Sequence, residues 1–565
     1  MMKESLSIVV SGEAGQGLAT IEEFLVEALS KEYYVFTSKE VMSRVRGGNN
    51  TFELRVASSP IHSLRKTIDY LFLLNNNSFY RLPKRLLPST VVFGEDAFVS
   101  VEDKEKFTLK YEVLELTKLA KEAGNRMFAN TILFGYISGM LELNVKVAEH
   151  LIAQRFIHRG ESIVTDNISA FKKGYELGLT YEASVKIKKP ASVPPFKVID
   201  GNNALGIGFL GGGINYLASY PMSPGTSVMM YLTNKADEFG VLVEQAEDEI
   251  AALNMALGAS YAGARSMVTT SGGGFALMTE AVSLAGIIET PTIIHVAQRP
   301  GPATGLPTRT EQGDLNLVVY AGHGEFPRIV LSPGKLEDGV LLAQKAFWLA
   351  DKYQIPVFIL SDQYWLESLG QMPSFELSDK YMESMTVISD KDYKRYQHTS
   401  EGISPRAIPG YGAGFVKVDS DEHDESGQIT EDFDVRIAMQ DKRMKKRELL
   451  LVDYQEPELV GPKDYKKLIV GWGSTYGVLK EFIETTSMSD VAYLYVKQPF
   501  PLPLSLKKYF NHIQQIIVVE NNYTGQFANI LTLELGVKVT HRVNKYNGEP
   551  FFIEELNEQL GEVLK

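Results

Sequence analysis

Glu249 opens the run EIAALNMALGASYAGA, residues 249–264, an acid followed by small side chains at helical spacing. A carboxylate at a helix N-terminus is stabilised by the macrodipole. Small residues behind it allow close packing against a sheet or a second chain. Such a group can hold or move a proton, or it can be no more than a well-placed helix start. Glu247 is a rival for the same part. Three loops supply possible companions. Residues 220–227 (YPMSPGTS) carry the hydroxyls of Ser223 and Thr226, residues 271–275 (SGGGF) run from Ser271 and Gly272 to Phe275, and residues 294–315 (IHVAQRPGPATGLPTRTEQGDL) carry Arg299, Thr304 and Arg309. Arginine grips a carboxylate through two parallel N–H bonds. Arg299 and Arg309 are therefore candidates to hold an anionic substrate, with Ser223, Thr226 and Thr304 as hydroxyl donors. An arginine after a strand is also often a surface ion pair, so that reading stands beside the first.

A second glycine loop lies near the N-terminus, with Gly12, Gly15, Gln16 and Gly17 in GEAGQG, and Arg46-Gly47-Gly48 follows later. Glycines between a strand and a helix let backbone N–H groups approach a phosphate or a neighbouring chain. The spacing is not that of the dinucleotide fingerprint, and no acid closes the second strand. A turn or subunit contact and a nucleotide or coenzyme site both remain open here. The His423-Asp424-Glu425 cluster offers only one histidine, so a charged, solvated loop is expected rather than a metal site.

These residues need elements to hold them. Apolar runs predict strands at 6–10, 33–37, 52–56, 70–74 and 91–93, with helices at 20–30 and 130–141, the start of a doubly wound unit. The stretch 185–200 is rich in Lys and Pro and reads as a linker. Strands at 266–270, 292–296, 328–331 and 356–359, with helices at 249–262 and 335–352, form a second region. The segment 376–455 has little periodic hydrophobicity, although QDKRMKKREL within it is basic and helix-prone. LIVGW, VAYLYV and QIIVVE are the strands of a last unit. The expected division is 1–184, linker 185–200, 201–375, connector 376–455 and 456–565, all α/β. The three loops of the middle region each follow a strand, and in a doubly wound sheet such loops converge where ligands bind.

Composition narrows the classes. A chain of 565 residues exceeds one core and suggests about three to four domains. The net charge of −13 argues against a main role on nucleic acid. Cysteine is absent, so this chain forms no disulfide and ligates no iron–sulfur cluster. The N-terminal apolar run is short for a signal peptide, and no run of roughly 18 apolar residues suggests a membrane span. A cytoplasmic protein is expected.

In family order, these motifs resemble the alpha subunit of 2-oxoacid:ferredoxin oxidoreductases, as a fusion of gamma and alpha parts. Residues 220–227 are similar to the family's Y-P-I-T-P-S-T-S, 271–280 to S-G-P-G-F-S-L-M-x-E, and 301–315 to G-P-S-T-G-x-P-T-[RK]-x-x-Q-x-D-L. The N-terminal loop with Arg46–Gly48 resembles the family's gamma domain. GWGSTYG (471–477), PFP (499–501) and ENNYTGQ (520–526) are similar to its transketolase-like C-terminal domain. The resemblance implies three doubly wound domains and a thiamine diphosphate shared with a beta subunit. It sets Glu249 against N1′ of the aminopyrimidine, favouring the imino tautomer that deprotonates the thiazolium; Ala256 and Gly258 are the small residues expected seven and nine positions on. Ser271, Gly272 and Phe275 fall to the cofactor, and Arg299 to the substrate carboxylate. Ser223 replaces a family threonine near the reacting carbonyl. Ala14 replaces a glycine, stiffening its loop, and Gly273 stands where proline is common, loosening its own.

No motif for diphosphate and magnesium is found. The resemblance therefore places Mg2+ and the [4Fe–4S] cluster on the beta subunit, in an (alpha-beta)2 assembly that reduces ferredoxin. The implied reaction takes a 2-oxoacid and coenzyme A to acyl-CoA and CO2. Segment 306–315 looks most like the 2-oxoglutarate enzymes; pyruvate, branched-chain 2-oxoacids, a non-redox thiamine decarboxylase subunit and a non-catalytic scaffold are the alternatives.

Overall fold

A computed structural model describes residues 2–42, 48–182 and 186–565. The chain forms two compact units: Met1–Ile199 with Glu367–Ser374 and Phe552–Glu558, and Asp200–Leu366 with Phe375–Phe551 and Gln559–Lys565.

The first unit is built on an eight-stranded sheet. Ser5–Glu13 lies inside it, parallel to Ile68–Leu73 and antiparallel to Asn49–Ala57. Side chains alternate across the strand. Ile8 and Val10 pack with Phe24, Ile132, Phe134 and Phe171 of the helices on one face. Val9 turns to the other face, with Leu71, Val92 and Phe79. The expected strands and helices form, but the pairing differs from a simple doubly wound start. Tyr34–Glu40 runs antiparallel to Asn49–Ala57, which separates it from Ser5–Glu13. The cause is connection length. Only residues 41–48 join those two strands, and a parallel crossover needs about a dozen residues or more. The Lys- and Pro-rich stretch is not free of structure either: Lys186–Ile187 pairs with Met2–Lys3, and Lys197–Asp200 enters the eight-stranded sheet.

The second unit holds two large sheets, besides a two-stranded pairing of Thr386–Ser389 with Arg406–Gly412. Six parallel strands lie in the order Leu242–Gln245, Tyr216–Ser219, Ser266–Ser271, Thr292–Gln298, Pro356–Asp362 and Ile329–Leu331. Because all six run one way, their carboxyl ends share one edge, and the three chemistry-bearing loops leave from it. The other sheet has five strands, with Lys467–Trp472 at its centre and Glu458–Val460 antiparallel at one edge. Val330 and Phe358 of the first sheet, with Phe275 from the helix Gly272–Leu277, share one core with Trp472 and Val496 of the second and Phe527 from the helix Gln526–Leu535. The basic stretch in 376–455 lies within the helix Phe433–Leu450. Its Lys442 and Lys446, one turn apart, both reach the buried Glu289, at 2.6 and 2.5 Å. Burial works against charge there, yet the two ammonium groups hold the Glu289 carboxyl below its usual range. His423 departs from the solvated loop expected of its cluster. It is fully buried, its ring 3.9 Å from that of Tyr396, whereas Asp424 accepts backbone N–H bonds in an exposed turn. Among the described residues, no helix is long and apolar enough to cross a membrane.

Candidate active site

The helix Glu249–Tyr261 is capped by the residue before it. The Asp248 carboxylate accepts the Ala251 N–H at 2.8 Å. Capping is thus done without Glu249, which turns inward and is 4% exposed. Its rival Glu247 is exposed. Glu249 Oε1 is buried and has no hydrogen-bond partner, and the hydroxyls of Thr270 and Ser271 share that condition. An unpaired buried polar atom costs about 1–3 kcal/mol, so Glu249 and Thr270, which meet at Gly274, call for a ligand.

The glycine loop sits against these groups. A Cβ on Gly274 would lie 2.3 Å from Thr270 Oγ1 and 2.8 Å from Glu249 Oε1, so only glycine fits. A Cβ on Gly272 would lie 2.2 Å from Asp314 Oδ2, whereas at Gly273 the nearest atom is 3.8 Å away. Two of the three glycines are therefore wedged against carboxyl groups and the middle one is open. Phe275, expected at the cofactor, instead packs in the core, edge-on to Phe358 at 5.4 Å. Its apolar ring gains more from the core than a polar site could give.

Arg299 follows the strand Thr292–Gln298 and is half-buried. Its Nη1 donates to the Ser223 carbonyl at 2.7 Å, while its Nε is buried without a partner. This bond ties the 220–227 loop to the 294–315 loop. Ser223 and Thr304 are exposed and Thr226 begins the helix Thr226–Phe239. Arg309 is half-buried, its Cβ packed by Gly548. Asp314 is a group that sequence reading left without a role. Its Oδ2 is buried and unpartnered. Burial, then the Glu311 carboxylate, push its carboxyl up to about 7, against the pull of Arg299. The available signal was an acid two residues after Gln312, just before a short helix.

The C-terminal motifs hold this loop in place. Gln312 and Asn521 exchange bonds: the Gln312 N–H donates to the Asn521 carbonyl at 2.7 Å, and the Asn521 N–H donates to Gln312 Oε1 at 2.9 Å. Gln312 Nε2 donates to the Trp472 carbonyl at 2.8 Å, and Gln526 Nε2 to the Gly313 carbonyl at 2.7 Å. The two motifs thus clamp the 312–316 stretch to the neighbouring sheet.

The first unit carries a separate feature. Gly12, next to last in its strand, lies against Leu74, and Gly15 and Gly17 take positive φ values of 91° and 73°. Gln16 accepts the Glu13 N–H at 2.6 Å and donates to the Leu74 carbonyl at 3.1 Å, so it staples the turn. Gly15 and Gln16 line a cavity of about 770 Å³ that also takes in Arg126, Asn130 and Arg159. Arg46 lies outside the described residues.

Comparison with known proteins now bears on this geometry. Residues 208–442 match the family described as pyruvate flavodoxin/ferredoxin oxidoreductase, thiamine diphosphate-binding, and residues 7–177 match pyruvate ferredoxin/flavodoxin oxidoreductase. A 2-oxoacid:ferredoxin oxidoreductase subunit alpha from a Sulfolobus species is 32% identical over 99% of this chain and 97% of its own. The chain belongs to the 2-oxoacid:ferredoxin oxidoreductase alpha-subunit family. The 2-oxoglutarate oxidoreductase subunit KorA of Mycobacterium tuberculosis is 30% identical over 80% of this chain and 70% of its own. A solved structure of the 2-oxoglutarate:ferredoxin oxidoreductase from Magnetococcus marinus, with 2-oxoglutarate, coenzyme A and succinyl-CoA bound, superposes with a TM-score of 0.92 at 30% identity, covering 100% of both chains.

As an alpha subunit of this family, the chain carries a thiamine-diphosphate-binding domain over the region that holds Glu249, Ser271–Gly274 and Arg299. The donor set fits an aminopyrimidine. Such a ring presents nitrogen donors and acceptors at its edge, and the three orphaned oxygens offer one carboxylate and two hydroxyls.

Proposed function

We propose that this alpha subunit takes part in the oxidative decarboxylation of 2-oxoglutarate, with coenzyme A giving succinyl-CoA and CO2 and the electrons passing to ferredoxin. The observation that carries the reading is the buried, unpartnered Glu249 Oε1 beside Thr270, against a glycine that leaves room for nothing else. Glu249 holds a proton at that oxygen against a pyrimidine ring nitrogen, and the low-dielectric pocket strengthens the contact. The hydroxyls of Thr270 and Ser271 orient the same ring. Thiamine diphosphate, when bound, supplies the carbanion that attacks the 2-oxo carbon and the electron sink for CO2 loss. Arg299, fixed by the Ser223 carbonyl, orients the substrate carboxylate through its remaining N–H groups. Ser223 and Thr226, on the loop that Arg299 holds, and Thr304 and Arg309, on the loop that carries Arg299, border the space a substrate would enter.

In this reading the partner beta subunit binds the diphosphate through Mg2+ and carries the [4Fe–4S] cluster, in an (alpha-beta)2 assembly. The absence of cysteine from this chain and the relatives' alpha-subunit names support that division. The Magnetococcus marinus enzyme, with 2-oxoglutarate and coenzyme A bound, supports the choice of substrates. The test is a viologen-dye assay of the purified complex with coenzyme A and a panel of 2-oxoacids. We expect the highest kcat/KM with 2-oxoglutarate. Preference for pyruvate or a branched-chain acid would overturn the substrate, and no dye reduction with any 2-oxoacid would overturn the reaction.

A further inference from the structure

His295 has no part in the mechanism above. It lies in the strand Thr292–Gln298, four residues before Arg299, and is fully buried. Its Nδ1 is 2.8 Å from Thr269 Oγ1 on the neighbouring strand Ser266–Ser271. Its Nε2 is 2.8 Å from Ser361 Oγ on the strand at its other side, Pro356–Asp362. Thr269 Oγ1 also donates to the Gly225 carbonyl, at 3.2 Å. One line of contacts, Ser361–His295–Thr269–Gly225, therefore crosses three strands and ends on the loop that carries Ser223.

A threonine hydroxyl has one hydrogen to give. Here it goes to the Gly225 carbonyl, so Thr269 Oγ1 accepts from the ring and the ring proton sits on Nδ1. Nε2 is then bare and accepts the Ser361 hydroxyl. In this arrangement every hydrogen of the line has an acceptor. With the proton on Nε2, Thr269 would turn to Nδ1, and the Ser361 hydrogen would have no acceptor among the described residues. Burial pushes the imidazole down to about 3, so the ring is neutral. Thr269 holds the loop at both ends. Ser219 Oγ, just before the loop, donates to the Thr269 carbonyl at 2.6 Å, and Gly225 takes the Thr269 hydroxyl. A Cβ on Gly225 would lie 2.9 Å from the Thr270 carbonyl and 3.1 Å from Thr269 Oγ1, so the loop is pressed onto the strand. Between these two anchors the Ser223 carbonyl accepts from Arg299 Nη1 at 2.7 Å. A shift of Gly225 moves Ser223, two residues away, and the guanidinium then follows or loses its acceptor.

We propose that His295 is a positioning residue: its Nδ1–H turns the Thr269 hydroxyl onto Gly225, and the loop so held aims Arg299 at the substrate carboxylate. This rests on the reading that Arg299 takes the substrate carboxylate.

The experiment uses the complex of this chain with its partner subunit, in the viologen-dye assay with coenzyme A and whichever 2-oxoacid gives the highest kcat/KM. Thr269→Val keeps the shape and removes the hydroxyl. We expect kcat/KM to fall about tenfold, chiefly through KM, and Thr269→Ser, which keeps the hydroxyl, to stay within about twofold of the unaltered complex. Arg299→Lys is then combined with Thr269→Val. A hydroxyl that acts through Arg299 should cost no more than about twofold beyond Arg299→Lys alone, whereas a merely structural one adds its full loss. If Arg299→Lys by itself leaves kcat/KM within about twofold, the carboxylate reading falls and this proposal with it. If Arg299→Lys costs at least about tenfold and Thr269→Val multiplies that loss in full, the reading stands and the proposal is overturned. A Thr269→Val complex as active as the unaltered one overturns it too. Two substitutions of the ring decide the matter even if Thr269→Val folds poorly. His295→Asn keeps an N–H donor at the δ position and gives up the Ser361 bond; His295→Leu gives up both. We expect the asparagine variant to stay within about threefold of the unaltered kcat/KM and the leucine variant to fall about tenfold. Equal values for the two would overturn the role of Nδ1–H.

Discussion

Glu249 and Glu520 are both buried glutamates beside a helix of mainly small and apolar residues, and both stand in segments whose sequence resembles the family's. Their surroundings differ. Glu520 Oε2 accepts the Phe527 N–H at 2.8 Å, Asn522 Nδ2 at 2.9 Å and Trp472 Nε1 at 3.3 Å, while its Oε1 accepts the Ala528 N–H at 3.0 Å. Glu249 Oε1 accepts nothing. One carboxylate has been closed into the fold and the other left open. A shared motif therefore does not say whether an acid serves structure or chemistry; the set of its hydrogen-bond partners does.

Substitution of each acid by its amide can break this distinction. Glu249→Gln keeps the shape but gives up the ionisable oxygen. We expect the dye-reduction rate of the complex to fall by roughly 10²–10⁴-fold, with the melting temperature unchanged or raised. Gly274→Ala should follow in the same assay with at least a tenfold loss, because the new methyl must displace Thr270 Oγ1 and Glu249 Oε1. Lys446→Met examines an acid of a third kind, Glu289, held by two buried ammonium groups. Removing one leaves charge unpaired and should cost about 3–5 kcal/mol in denaturant unfolding. Glu520→Gln should cost about 1–3 kcal/mol of stability, with the specific rate of the folded fraction retained. The comparison fails if Glu249→Gln destabilises as much as Glu520→Gln while leaving the rate intact.

Much of this was legible in the sequence. The strands 491–496 and 515–520 form over the residues their apolar runs predicted, and Glu249 begins the helix it was expected to begin. Buried parallel strands announce themselves as continuous apolar runs, and that signal is local. What was not legible is non-local. Nothing near Glu289 in the chain points to Lys442 and Lys446, more than 150 positions on. Nothing in ENNYTGQ says that its Asn521 and Gln526 grip Gln312 and Gly313. The antiparallel pairing of Tyr34–Glu40 was readable from the short connection, had connection length been weighed against the strand–loop–helix pattern. Phe275 was assigned to the cofactor because it stands in the motif. Its place after three glycines carries no information on which way the ring turns.

The smallest expected effect sharpens the comparison within one loop. Gly272 and Gly274 are wedged against carboxyl groups, but a Cβ at Gly273 meets nothing closer than 3.8 Å. Gly273 is also the second residue of the helix Gly272–Leu277. There its N–H has no intrahelical acceptor to lose, and proline's fixed φ suits the first turn. The preceding Gly272 has no Cβ to clash with the proline ring. Gly273→Pro should therefore raise stability by about 0.4–1 kcal/mol, through a less flexible unfolded chain, and change kcat less than twofold. Thermal unfolding and the dye assay check both numbers. The same substitution is informative if it fails. A large loss of rate with stability preserved would mean that the middle of the loop must move during turnover. The rigid cradle inferred from its two neighbours would then describe only one state of the site.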